Sequence, residues 1–97
     1  MIKALCKSGS IEWTQHAMSR MDARGIEQHE VEDALLLGEA IETYPNDTPY
    51  PSYLILGKNG LHVVCGIGEG RIWIVTAYRS SMEKWEDDLK TRKAVQE

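Results

Sequence analysis

The sequence has 97 residues, 42% of them hydrophobic and 27% charged, which is the composition of one folded domain with a single core. This length excludes a second catalytic domain, and the formal net charge of −4 argues against holding nucleic acid by overall charge alone. Cys6 and Cys65 form no paired motif, so we expect reduced thiols in the cytoplasm. Because no apolar run is long enough, we expect neither a signal peptide nor a membrane span.

Two helices are predicted first. Thr14 fits an N-cap and Gly25 fits a left-handed C-cap, and together they bracket a helix over about residues 14–24. The second helix follows at once and ends at Gly38, although Glu27 stands where a Ser or Thr cap is commoner. Apolar residues at helical spacing mark the buried faces of both helices. They are Trp13, Ala17, Met18 and Met21 for the first helix and Ile26, Val31, Ala34 and Leu35 for the second.

From Glu39 onward the pattern becomes extended, with all three prolines in the loop at 45–51. Four strands are predicted, over residues 40–44, 52–56, 61–67 and 71–78. Short glycine-containing turns join the last three into an antiparallel meander, and Ser80 with Glu83 fits the capping box of a C-terminal helix. The expected fold is α+β, a single domain over residues 1–97 with two N-terminal helices, a four-stranded, mainly antiparallel sheet and a C-terminal helix.

The first helix carries the main concentration of reactive side chains. His16, Arg20 and Arg24 are four residues apart, so they form one stripe at the border of the apolar face. An imidazole titrates near neutral pH and can accept a proton, while a guanidinium binds anions. The stripe therefore predicts a general base beside an anion-binding group. The alternative is a packed histidine with arginines that cap the helix, and we assign Arg24 to capping.

A second candidate group lies at the end of the fourth strand. Thr76 and Tyr78 share a face by the period of two, which Ile72 and Ile74 continue, and Arg79 follows. Two hydroxyls and a guanidinium can hold a phosphate or an anionic transition state. Thr and Tyr are also ordinary strand residues, so a purely structural interpretation stays open.

His62, on the less buried side of the third strand, joins Arg79 as a candidate substrate-binding residue. No metal or other cofactor is expected, because the histidines and cysteines lack the short ligand spacings of zinc sites. Four scattered tyrosines and tryptophans could stack on bases but are interpreted as core and rim residues. These aromatic residues are Tyr44, Tyr50, Tyr53 and Trp73.

Three motifs carry a resemblance to a known family: HAMSRM at residues 16–21, RGI at 24–26 and TAYR at 76–79. With them the chain closely resembles, over nearly its whole length, the bacterial family known as domain of unknown function 4258 (DUF4258). That family is associated with the RelE/ParE-like toxins among the metal-independent ribonuclease folds. The resemblance therefore implies a RelE/ParE-like fold and catalytic roles for His16, Arg20, Thr76 and Tyr78.

Two functions follow as expectations. In the first, a toxin-type endoribonuclease, His16 takes the proton of a ribose 2′-hydroxyl, Arg20 and Arg79 stabilise the charge on phosphorus, and Tyr78 or Thr76 orients the phosphate. Its partners would be RNA and a protein antitoxin. In the second, a non-catalytic module of the same fold binds a basic protein, either through a groove between the first helix and the end of the fourth strand or through the acidic second helix. The acidic residues of that helix are Glu27, Glu30, Glu32 and Asp33.

Overall fold

The computed structural model describes residues 2–79, which form three helices and five strands. In chain order these are α1 (Ile2–Lys7), β1 (Ile11–Trp13), α2 (Gln15–Arg24), α3 (Gln28–Leu37), β2 (Glu39–Tyr44), β3 (Ser52–Leu56), β4 (Leu61–Gly68) and β5 (Arg71–Arg79). A short 3-10 turn over Lys58–Gly60 joins β3 to β4. Within this part of the chain, none of the helices has the length and apolar character needed to cross a membrane.

All five strands belong to one sheet in the order β1-β5-β4-β3-β2. β1 pairs with β5 in parallel, with Ile11 opposite Ile72 and Trp13 opposite Ile74. The other three pairings are antiparallel, so the sheet is mixed. The helices pack against one face of this sheet, here called the helix face, and the core lies between them. Its fully buried members include Ala17, Val31, Val63, Cys65, Ile72 and Ile74.

The predicted fold class was wrong in its element order, although the α+β character holds. The described chain has three helices and not two before β2, and the sheet has five strands with one parallel pair and not four strands. The described residues end in strand β5, and the predicted C-terminal helix from Ser80 lies outside them. The sequence pattern missed α1 and β1 because they are only 6 and 3 residues long.

The predicted caps of α2 are confirmed. The hydroxyl oxygen of Thr14 accepts a hydrogen bond from the Ala17 N–H at 3.1 Å, and Gly25 adopts a left-handed conformation with φ 67°. The Thr14 hydroxyl also donates to the carbonyl of Ile74 at 2.8 Å. One side chain therefore starts α2 and fixes that start to the middle of β5.

A β-bulge at Val75 changes which face of β5 each residue occupies. Cys65 is opposite Ile74, but Val64 is opposite Thr76, so Val75 is an extra residue between two regular stretches of ladder. The prediction that Ile72 and Ile74 share a face with Thr76 and Tyr78 was therefore wrong. The two isoleucines point to the helix face, whereas Thr76 and Tyr78 point to the opposite face, here called the far face.

Candidate functional site

Helix α2 runs along the edge of β5, beyond the point where β1 ends. Its first turn is held at Ile74 by Thr14, and its last residue, Arg24, reaches Ala77. Ala17 and Met21 are 0% and 2% exposed and join the core, which fixes the rotation of the helix about its axis. This rotation places the stripe of His16, Arg20 and Arg24 on one flank of α2.

Arg24 makes tertiary contacts and does not serve simply as a helix cap. Its Nη1 donates to the carbonyl oxygen of Ala77 at 2.9 Å and to the hydroxyl oxygen of Thr76 at 3.3 Å. Both acceptors lie just after the bulge of β5. A guanidinium has five N–H donors. Because both of these bonds come from Nη1, the N–H groups on the other two nitrogens of Arg24 can still bind an anion. Arg24 thus joins the α2 stripe to the polar end of β5, a role that sequence spacing alone did not indicate.

His16 and Arg20 occupy the exposed part of the same flank. Within residues 2–79, neither side chain is held by a hydrogen bond or an ion pair to the protein. Each step of four residues rotates the stripe by about 40° around the helix. All three residues of the stripe are exposed, and Arg24 is in addition bonded to β5. The imidazole of His16 and the guanidinium of Arg20 are therefore accessible to a ligand that lies along α2.

The structure places Tyr78 with His62 on the far face. These residues are opposite each other in the β4–β5 ladder, and their rings meet edge to face with centroids 5.4 Å apart. His62 is 0% exposed, whereas Tyr78 is half-buried. His62 therefore supports the tyrosine ring from within the protein, and it cannot contact a substrate directly in this arrangement.

Arg79 points away from the other candidates. It lies opposite Leu61 on the helix face and forms an ion pair with Glu30 of α3, with 2.6 Å between Nη2 and Oε1. The backbone N–H of Glu27, followed by the Arg79 guanidinium, lowers the pKa of the Glu30 carboxyl. Strand alternation thus separates Arg79 from Thr76 and Tyr78, and the structure brings Arg24 to that end of β5 in its place.

Sequence reasoning missed a pocket on the far face, with a volume of about 350 Å³. It lies between the 45–51 loop and the first part of β5, beside the start of α2. The rings of Tyr50 and Trp73, set aside as core and rim residues, stack in its wall with centroids 5.6 Å apart. The full lining is Thr14, Asp47, Thr48, Pro49, Tyr50, Ser52, Val64, Gly66, Trp73 and Val75. The proline cluster of the loop was the available signal, but its contact with β5 depends on the folded sheet.

The two cysteines are unsuited to nucleophilic chemistry at neutral pH. Both are free and buried, and burial raises the pKa of Cys65 to about 12. Burial followed by the nearby carboxylates of Glu32 and Asp33 raises the pKa of Cys6. Thiols held in the protonated form are weak nucleophiles. Among residues 2–79, no three His, Cys, Asp or Glu side chains are grouped so as to hold a metal ion.

We expect Cys65 to resist alkylation in the native protein. At pH 8, a Cys6→Ser variant treated with iodoacetamide should react at least tenfold more slowly when folded than in guanidinium chloride, because the Cys65 side chain is inaccessible and protonated. Mass spectrometry of the quenched samples measures the rate. Equal rates in the two conditions would contradict the buried position of this thiol.

The chain matches a known protein family. The family model described as "Domain of unknown function (DUF4258)" covers residues 13–79 of the chain, from the end of β1 to the end of β5. The matched region therefore contains the α2 stripe, the bulge and the pocket. No curated protein and no solved structure matches the chain.

Proposed function

The chain belongs to the DUF4258 family, whose description names no activity, and from this site we propose a metal-independent endoribonuclease of the RelE/ParE-like toxin type. One observation supports it above the others. Arg24 is bonded to Thr76 and Ala77, so an exposed His-Arg pair lies on a helix fixed to the polar end of a strand. Such a basic flank with a proton acceptor can bind an RNA backbone and act on it.

The spacing along α2 suits successive phosphates. His16 and Arg20 are one turn apart, and residues four apart on a helix have Cβ atoms about 5–6 Å from each other. Both side chains can therefore approach the same phosphate from neighbouring positions. Arg24 is one further turn along, where its remaining donors meet the next phosphate. In this arrangement the RNA backbone follows the helix axis.

The proposed reaction is an intramolecular transesterification. His16 takes the proton of the 2′-hydroxyl, the 2′-oxygen attacks the adjacent phosphorus, and the bond between phosphorus and the 5′-oxygen breaks. The products are a 2′,3′-cyclic phosphate and a 5′-hydroxyl that takes its proton from solvent. Arg20 stabilises the negative charge that gathers on the non-bridging oxygens in the transition state. His16 then releases its proton to solvent, so the reaction needs RNA and water alone.

The other candidates take different parts. Arg24 replaces Arg79 as the second arginine, because Arg79 is paired with Glu30 on the helix face. Thr76 acts as a positioning residue for Arg24. Tyr78 lies beyond the Arg24 end of the stripe, so we assign its hydroxyl to orienting a neighbouring phosphate. The free thiols fit a reducing cytoplasm, and a protein antitoxin is the partner that this proposal implies.

The alternative module, which would bind a basic protein through α3, has less support. Glu30 is already engaged by Arg79 and by the backbone N–H of Glu27, at 2.6 and 2.9 Å. Glu27 in turn lies 3.4 Å from the imidazole of His29. Two of the four acidic residues of this surface, the N-cap Glu27 and Glu30 in the first turn, therefore already have contacts within the chain.

Binding of single-stranded RNA should depend on salt through the α2 stripe. Removing one phosphate-binding charge is expected to reduce the slope of log affinity against log salt concentration by about 0.7. We expect this change for Arg20→Ala, measured by fluorescence anisotropy with a labelled, non-cleavable 2′-deoxy oligonucleotide. Lys3→Ala removes the same charge from α1 on the helix face and serves as the control. Equal slopes for Arg20→Ala and the unmodified protein would rule out the proposed path of the RNA.

A further inference from the structure

The lining of the far-face pocket includes residues that are close in the chain to the proposed site. Thr14, which lines the pocket, precedes His16 by two residues, and Val75, also in the lining, precedes Thr76 by one. The pocket therefore opens beside the His16 end of the stripe, whereas Arg24 and Tyr78 lie toward the other end. A nucleotide whose phosphate meets His16 and Arg20 would place its base nearest this pocket.

The stacked rings of Tyr50 and Trp73 line the pocket with their apolar carbon atoms. The indole N–H of Trp73 donates to the carbonyl of Gly68 at 3.0 Å, and the phenol of Tyr50 donates to the carboxylate of Glu69. Both polar tips are thus bonded at the β4–β5 turn, which holds the two rings in place. Their apolar surfaces, with Pro49, Val64 and Val75, suit a flat aromatic ligand. The volume of about 350 Å³ is at the small end of the usual range for ligand pockets.

The polar groups of the lining favour a ligand that donates hydrogen bonds. Asp47 supplies a carboxylate that accepts a hydrogen bond from the hydroxyl of Ser52, a side chain only 3% exposed. Each carboxylate oxygen has more than one acceptor position, so the group can accept further bonds. The Thr14 hydroxyl is already used as both donor and acceptor. A phosphate in the pocket would be repelled by Asp47, whereas a base with N–H groups would be bound.

We propose that this pocket binds a guanine base of the RNA and that Asp47 determines this choice. Guanine carries an N1–H and an N2 amino group side by side, which matches the two oxygens of one carboxylate. Adenine, cytosine and uracil each offer one donor group on the corresponding edge. The inference rests on the proposed function, because it makes the pocket the base-specificity site of the same nuclease.

Calorimetric titration of the full chain with the four nucleoside 3′-monophosphates tests the proposal without cleavage. We expect guanosine 3′-monophosphate to bind at least tenfold more tightly than the adenosine, cytidine and uridine compounds. Asp47→Asn keeps an acceptor for Ser52 but loses the carboxylate, so it should remove this preference. Asp22→Asn, at an exposed position on α2, changes the charge equally and should leave the preference intact.

The outcomes separate this inference from the proposed function. A guanosine preference that Asp47→Asn abolishes, in a protein that cleaves no RNA, would support the pocket and overturn the nuclease. If RNA cleavage requires His16 but the protein binds the four nucleotides with equal affinity, the guanine pocket would be overturned and the nuclease retained. A guanosine preference that persists in Asp47→Asn would also overturn the role assigned to this carboxylate.

Discussion

Replacing His16 with alanine is expected to slow RNA cleavage by at least about a hundredfold, because positioned general bases contribute roughly 10²- to 10⁴-fold to such reactions. His16 is exposed on α2, so its removal should leave the core and the free energy of unfolding nearly unchanged. The measurement is the rate at which a fluorescent, mixed-sequence RNA yields 2′,3′-cyclic phosphate ends, with metal ions removed by chelation.

His29→Ala is the matched control for this experiment. His29 is an exposed histidine on α3, with a side chain 70% accessible, and it lies outside the α2 stripe. We expect this variant to cleave RNA at the unmodified rate. Equal activity of the His16→Ala and unmodified proteins, or no cleavage by the unmodified protein, would overturn the proposed reaction.

Local signals in the sequence were sufficient for the boundaries of α2. Thr14 and Gly25 cap this helix through contacts within a few residues, and such contacts do not depend on the rest of the fold. β1 is different, because three residues form a strand here only by pairing in parallel with β5, about 60 residues away in the chain. A pattern read along the sequence contains no such partner, which is why the parallel pair was missed.

The candidate site shows the same division between local and long-range information. Helical periodicity placed His16 and Arg20 on one flank, and the structure agrees. The bulge at Val75 moved Thr76 and Tyr78 to the far face, and one extra residue in a strand is not visible as a break in alternation. The contact of Arg24 with Thr76 spans 52 positions, so spacing within the helix could not reveal it.

The position of α2 on the sheet also makes a large and specific prediction about stability. Met21 is 2% exposed and packs in the core, whereas Met18, on the same helix, is 37% exposed. Met21→Ala should lower the free energy of unfolding by about 2–5 kcal/mol, through lost burial and the cavity left behind. Met18→Ala removes the same atoms from a more exposed position, where the sulfur accepts a hydrogen bond from the Gln28 side chain at 3.3 Å. This variant should lower the free energy of unfolding by no more than about 1 kcal/mol.

Urea denaturation followed by circular dichroism measures both variants on the same scale. The comparison cancels the intrinsic helix preference of alanine, since both substitutions replace methionine by alanine within α2. Because α2 carries His16, Arg20 and Arg24, Met21→Ala should also reduce RNA binding at urea concentrations at which the unmodified protein is still folded. Similar free-energy changes for the two variants would mean that α2 does not pack against β5 through Met21, and the stripe would then lose its fixed orientation toward Thr76.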